Sequence, residues 1–227
     1  MKLEDILAKL ESRIPKSWAE SWDNPGLSLG NPKSDISLIA AALDRPLSLA
    51  IESAVKNELA VCSFHTNWDS SHEGVNKILA EKLGLNDITP LIPTSRPDRG
   101  WGMGAVGTFP SPVTVNECVK IIADRWHTCP ISAYGDGNAL ISKTAAGGGA
   151  CGDMWYEAAE AGAQLFITSD MSYHDRQDAL AMGMNLIITD HGDTERVSLP
   201  SLAEITEYET GIPVKLIDEP LGYKRII

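Results

Sequence analysis

The sequence predicts an α/β fold, a parallel or mixed sheet covered by helices. Two observations carry that prediction. Short, almost wholly apolar runs such as ISLIAAAL (Ile36 to Leu43), Leu59 to Phe64, QLFIT and NLIITD (Asn185 to Asp190) read as buried strands. Segments with apolar residues at helical spacing alternate with them. A third observation concerns organisation. The stretch Pro93 to Gly104, PTSRPDRGWGMG, is rich in Pro, Gly and charge, and marks the best candidate domain boundary.

In chain order, Leu3, Ile6, Leu7 and Leu10 repeat at helical spacing and predict a helix over residues 3 to about 12. Trp22-Asp23-Asn24-Pro25-Gly26 is a turn cluster. The Ile36 to Leu43 run precedes a helix from about Leu47 to Asn57, and the Leu59 to Phe64 run precedes a helix from about Glu73 to Leu83. Gly84 is placed to end that helix in the left-handed region. Beyond Gly104, AVGTF is a strand and Val113 to Trp126 a helix, with Thr114 near its N-cap. CPISAY and ALISKTAA are strands, and Gly147-Gly148-Gly149 is a loop. Helices over about Gly152 to Ala161, His174 to Met182 and Leu199 to Thr210 then alternate with the strands QLFIT, NLIITD, VKLID and YKRII.

Composition narrows the function classes. The 227 residues carry 43% hydrophobic and 22% charged side chains, enough for a proper core and typical of a globular chain. The formal net charge of -12 leaves no basic footprint for nucleic acid. No apolar stretch reaches the length of a membrane span. The N-terminal residues MKLEDILAKLES carry acids inside their apolar pattern and do not read as a signal peptide. Cys62, Cys118, Cys129 and Cys151 are widely spaced, with no C-x-x-C pair, and read as reduced thiols of a cytoplasmic protein.

Two strand ends combine metal-ligand residue types at useful spacing. Residues 62–69, CSFHTNWD, place His65 four residues before Asp69. Residues 189–195, TDHGDTE, place His191 four residues before Glu195. In a helix that offset returns to the same face. The carboxyl ends of strands are where open α/β sheets bind ligands. Imidazole with carboxylate suits Zn²⁺, Fe²⁺, Mn²⁺ or Ni²⁺. Each pair alone is also compatible with capping or surface hydrogen bonds, with Asp69 capping a turn and Glu195 leading into the last helix. In ITSDMSYHD (Ile167 to Asp175), Asp170 or Ser172 is placed to cap the next helix, with His174 in its first turn. The Gly147–Gly149 run reads first as a tight turn and second as an anion loop, since it has neither a Walker Lys nor G-x-G-x-x-G.

Taken in order, WDNPGLSLG (22–30), HTNWD with GVNKILAEKLGL (65–85), GWGMGAVG (100–107), the glycine run, ITSDMSYHD and DHGDTE resemble the landmarks of the GTP cyclohydrolase I type 2 homologue family, also described as NIF-like dinuclear-metal-centre hexameric proteins. The resemblance covers nearly the whole chain. It implies two α/β domains with mixed sheets flanked by helices, here residues 1–97 plus 190–227 and residues 98–189, with a metal site in the cleft between them. It further implies a homohexamer, a divalent metal cofactor of one or two ions per subunit, and a possible nucleotide substrate. His65, Asp69, His191 and Glu195 match the family's ligands. His174 matches a histidine lying near the site, and Arg196 and Lys143 are the cations available to a phosphorylated substrate.

One departure stands out. The family carries an adjacent His-His pair on a strand preceding the H-x-x-x-D motif. Between Asp44 and His65 this chain has only residues 45–64, and none is histidine. A strand-plus-helix unit is missing, and with it two of six ligands. Four side chains suit one ion with an open position better than two mutually repelling ions. His72, seven residues after His65, is a further candidate ligand or a loop residue. The expected activity is metal-dependent hydrolysis, either opening of the guanine ring of GTP or cleavage of a phosphoester. The alternative is a non-catalytic, metal-binding or regulatory hexamer.

Overall fold

The computed structural model describes residues 1–43, 52, 54–94, 100–128 and 131–217. Most of the helix expected over Leu47 to Asn57, the strand YKRII, and Cys129 lie outside the described residues. By its internal contacts the chain forms two units, residues 1–71 with 199–227, and residues 72–198.

In the first unit, α1 (Leu3–Arg13) buries Leu3, Ile6 and Leu10, the face its apolar spacing predicts. Ile6 and Leu10 pack with Ile212, and Ile36, Ile39 and Phe64 close around them. Strand β1 (Gly26–Leu29) is short, as is β2 (Ile39–Ala42), which occupies only the centre of the Ile36 to Leu43 run. Strand β3 (Val61–Ser63) is followed by the single-turn helix α2 (Thr66–Asp69). β1 and β3 pair antiparallel, with Gly26 opposite Ser63.

The second unit opens with α3 (Val75–Leu83). Its last turn ends on Gly84 at φ +80°, the left-handed stop that the glycine predicts. Strands β4 (Asn86–Thr89), β5 (Ile92–Pro93) and β6 (Gly102–Met103) lead into the ten-residue β7 (Ala105–Thr114). β5 and β6 pair antiparallel, so the Pro- and Gly-rich stretch has its two flanks joined within one unit. Helix α4 (Val115–Arg125) carries a complete capping box, Thr114 with Glu117. β8 (Ser132–Tyr134), β9 (Leu140–Ala146), α5 (Trp155–Glu160), β10 (Leu165–Thr168), α6 (Tyr173–Ala181), β11 (Asn185–Ile188) and α7 (His191–Arg196) follow. The chain then returns to the first unit as α8 (Leu199–Thr210) and β12 (Val214–Ile217), which pairs parallel with β2. Lys9 Nζ donates to the Glu209 carbonyl at 2.8 Å, tying α1 to α8.

The second unit is a six-stranded mixed sheet in the order β4-β7-β9-β10-β11-β8. Its centre, β9-β10-β11, is parallel, and the outer pairings are antiparallel. Leu165, Phe166, Ile167, Leu186 and Ile187 are fully buried, which is why β10 and β11 read as continuous apolar runs rather than alternating ones. Phe166, Leu186 and Ala145 pack with Ala158 of α5 and Ala179 of α6. Because β9, β10 and β11 are parallel neighbours, the loops leaving their carboxyl ends lie side by side. Those loops are Gly147–Gly149, Ser169–Asp170 and Thr189–Asp190.

Candidate metal centre

His191 is the first residue of α7, and Asp190 caps that helix by accepting the Asp193 amide at 3.0 Å. One helical turn on, Glu195 returns to the same face, and its Oε1 lies 3.1 Å from His191 Nε2. The other ring nitrogen, Nδ1, lies 2.6 Å from Asp170 Oδ2, at the end of the neighbouring strand. Ser172, not Asp170, caps α6, by accepting the Asp175 amide. Asp170 is thereby left to reach His191, a role the sequence did not disclose.

The glycine run has a specific use here. Gly147 N donates to Ile167 O, Gly148 N to Asn76 Oδ1 and Gly149 N to Thr194 Oγ1. All three amides are spent inside the unit, so the run does not present them to an anion. Instead it lets backbone pass close to the histidine. A Cβ at Gly149 would stand 2.8 Å from Glu195 Oε1 and 3.4 Å from His191 Nε2, and Gly149 sits at φ +66°. Thr194 Oγ1 also donates to His191 O at 2.6 Å, locking the loop to the first turn of α7.

The first unit repeats part of this pattern. His65 precedes α2, and Asp69 is that helix's last residue, its amide donating to His65 O at 3.1 Å. Antiparallel pairing of β1 with β3 sets the residues before β1 beside those after β3, which brings in Asp23. Its Oδ1 lies 3.1 Å from His65 Nδ1. Its Oδ2 accepts from Thr66 N at 3.0 Å and Thr66 Oγ1 at 2.6 Å. Burial alone would raise the Asp23 pKa, but the bonds from Thr66, His65 and Asn24 outweigh it and hold the carboxyl below its usual value. Trp22, 70% exposed, stands edge-on to the His65 ring at 5.8 Å.

His174 is exposed in the first turn of α6, its ring edge-on to Tyr173. His72 meets Trp101 edge-on. Arg196 closes α7, where a cation suits the helix dipole, and Lys143 lies on β9 opposite Thr108. Among the described residues, no group of three or more His, Cys, Asp or Glu is arranged to hold an ion. His191 with Glu195 is the candidate pair whose side chains are seen to meet.

His191 and Glu195 are of the donor types that suit a divalent cation. Zinc-type ligands stand about 2.0–2.2 Å from their ion, which sets two neighbouring donors roughly 3–3.5 Å apart. The His191 Nε2–Glu195 Oε1 separation of 3.1 Å matches that bite. A carboxylate on Nδ1 is the usual outer partner of a metal-bound histidine. His191 is flanked by two carboxylates. Its pKa rises to about 9, chiefly through the hydrogen bond to Glu195 and then that to Asp170, against the effect of burial. A proton on Nε2 occupies the position a metal would take.

Comparison with known proteins agrees with this architecture. The model of the Duf34/NIF3 (NGG1p interacting factor 3) family matches residues 1–50 and 45–220, two segments that overlap at residues 45–50. A Clostridium perfringens protein named GTP cyclohydrolase 1 type 2 homolog is 30% identical over 241 aligned positions, covering 91% of this chain and 90% of that one. A protein of the same name from Streptomyces coelicolor is 28% identical, covering 79% and 76%. The crystal structure of a Bacillus cereus protein related to NIF3 superposes with a TM-score of 0.91 at 17% identity, covering 100% and 99%. With a family model spanning nearly its whole length and an ordered set of matching landmarks, this chain belongs to the Duf34/NIF3 family.

Proposed function

We propose that this chain binds a divalent cation and uses it for hydrolysis, with His65, Asp69, His191 and Glu195 as protein ligands. The observation that carries this reading is the His191–Glu195 pair, two donors at the bite of one ion with the outer nitrogen already engaged by Asp170. Zn²⁺, Fe²⁺, Mn²⁺ and Ni²⁺ all suit imidazole with carboxylate, at one or two ions per subunit. When bound, such an ion lowers the pKa of a coordinated water toward neutrality. The protein's own part is to fix His191 through Asp170, to hold Glu195 on the same face of α7, and to bring the Gly149 backbone against both. Relatives named GTP cyclohydrolase 1 type 2 homolog support a guanine-nucleotide substrate, with ring opening or phosphoester cleavage as the reaction. Arg196 and Lys143 are the cations proposed for its phosphates, and His174 is the proposed proton-transfer group. A homohexamer is the proposed assembly.

A second reading is a metal-binding or regulatory hexamer without turnover. It is favoured by the sequence from Arg45 to Phe64, which holds no histidine.

Elemental analysis of the wild-type chain, H65A and H191A, together with assays of GTP and phosphoester turnover for wild type and E195Q, separates these readings. Metal occupancy that falls in both alanine variants, and turnover lost in E195Q with secondary structure kept, supports the hydrolase. Metal without turnover supports the second reading. Metal content unchanged in H191A overturns the ligand assignment, and a monomer by light scattering at micromolar concentration overturns the hexamer.

A further inference from the structure

We infer that Asp23 and Asp170 are positioning residues, one in each unit, that hold the His65 and His191 rings by Nδ1 and so present Nε2 to a metal ion. The inference rests on the metal-binding reading above and adds two residues to it. Two independent constructions lead to the same arrangement. In the second unit, Asp170 Oδ2 lies 2.6 Å from His191 Nδ1; in the first, Asp23 Oδ1 lies 3.1 Å from His65 Nδ1. A carboxylate accepts the hydrogen bond that a ring nitrogen donates, and that bond ties each imidazole at Nδ1. The orientation of the ring is thereby set, with Nε2 on the side away from the aspartate.

Both carboxylates are themselves held. Asp23 takes the Thr66 amide and hydroxyl on Oδ2 and the Asn24 amide at 2.8 Å on Oδ1, and its side chain is 11% exposed. Asp170 sits at φ +37°, a left-handed conformation that residues other than glycine adopt seldom. Neighbouring backbone keeps it there. Ser169 Oγ donates to Gly149 O. Gly152 packs so closely that a Cβ on it would stand 2.5 Å from Met171 Cα and 2.9 Å from Asp170 O.

The test is calorimetric titration of Mn²⁺ and Zn²⁺ into the EDTA-stripped full chain as wild type, D170G, D170N, D23A and D23N, with thermal unfolding of each metal-free protein. Glycine accepts φ +37° freely, so D170G removes the carboxylate without backbone strain. D170G and D23A should weaken metal binding about 10- to 100-fold, the usual cost of losing an outer partner. D170N and D23N keep an oxygen acceptor and should weaken it less. Metal-free D170G should keep the wild-type secondary structure and a cooperative melt, with a midpoint lowered only by the lost His191–Asp170 bond, so that weaker binding does not reflect a folding defect. D170G binding as tightly as wild type overturns the role of Asp170, and D23A binding as tightly as wild type overturns that of Asp23. A wild-type chain that takes up neither ion overturns the metal reading itself, and this inference with it.

Discussion

Thr194 Oγ1 accepts a hydrogen bond from the Gly149 amide at 2.8 Å and donates one to the His191 carbonyl at 2.6 Å. One buried hydroxyl thus joins the loop after β9 to the first turn of α7, and the candidate ligand pair on α7 depends on that joint.

Replacing Thr194 with alanine leaves the buried Gly149 amide without its acceptor. An unsatisfied buried donor costs about 1–3 kcal/mol. Urea denaturation should show a loss of that order for T194A, and a much smaller one for T194S, which keeps the hydroxyl. Equal stability of T194A and wild type would show that the loop does not depend on the bond.

Gly149 cannot carry a side chain at no cost. G149A places a Cβ 2.8 Å from Glu195 Oε1 on a backbone at φ +66°. Strain of this kind costs about 1–3 kcal/mol. The variant should melt at a lower temperature and bind metal more weakly, because the new methyl group pushes Glu195 off its line with His191. Unchanged affinity for Mn²⁺ would mean that Glu195 is not held by this contact.

The metal-free protein should lose stability at both ends of the pH scale. His191 has a folded pKa raised to about 9 from 6.5, so its contribution is complete below about pH 6.5 and disappears as pH rises through about 9. Asp23 is shifted the other way. Its contribution is present above the usual carboxylate pKa and disappears as pH falls through the lower folded value. Thermal scans in EDTA should show H191Q flattening the alkaline limb and D23N flattening the acid limb. An alkaline limb identical in H191Q and wild type would remove His191 as its source.

Burial pushes the Cys118 thiol up to about 12 and the Cys62 thiol up to about 11. The thiolate is the nucleophile, so both should resist Ellman's reagent at pH 8 in the folded chain and react on unfolding. Fast modification of Cys118 in native protein, mapped by mass spectrometry, would mean that α4 opens readily.

Much of the secondary structure was legible because its signals are local. α1 follows from the spacing of Leu3, Ile6 and Leu10, α3 stops at Gly84, and α4 starts at the Thr114–Glu117 capping box. The short strands β5 and β6 carried no such signal. They are held by pairing with each other rather than by their own pattern.

His65, Asp69, His191 and Glu195 were legible as candidates, because a histidine four residues before a carboxylate at a strand end is a sequence pattern. Asp23 and Asp170 were legible only as turn and cap residues. The residues themselves determined the helices, the buried runs of β10 and β11, and which imidazoles stand at strand ends, since side-chain periodicity and capping act over a few positions. Only the folded chain decided that β1 neighbours β3 and that β9, β10 and β11 run parallel side by side. Strand order is chosen by packing across the whole sheet, and it is strand order that sets Asp23 beside His65 and Asp170 beside His191.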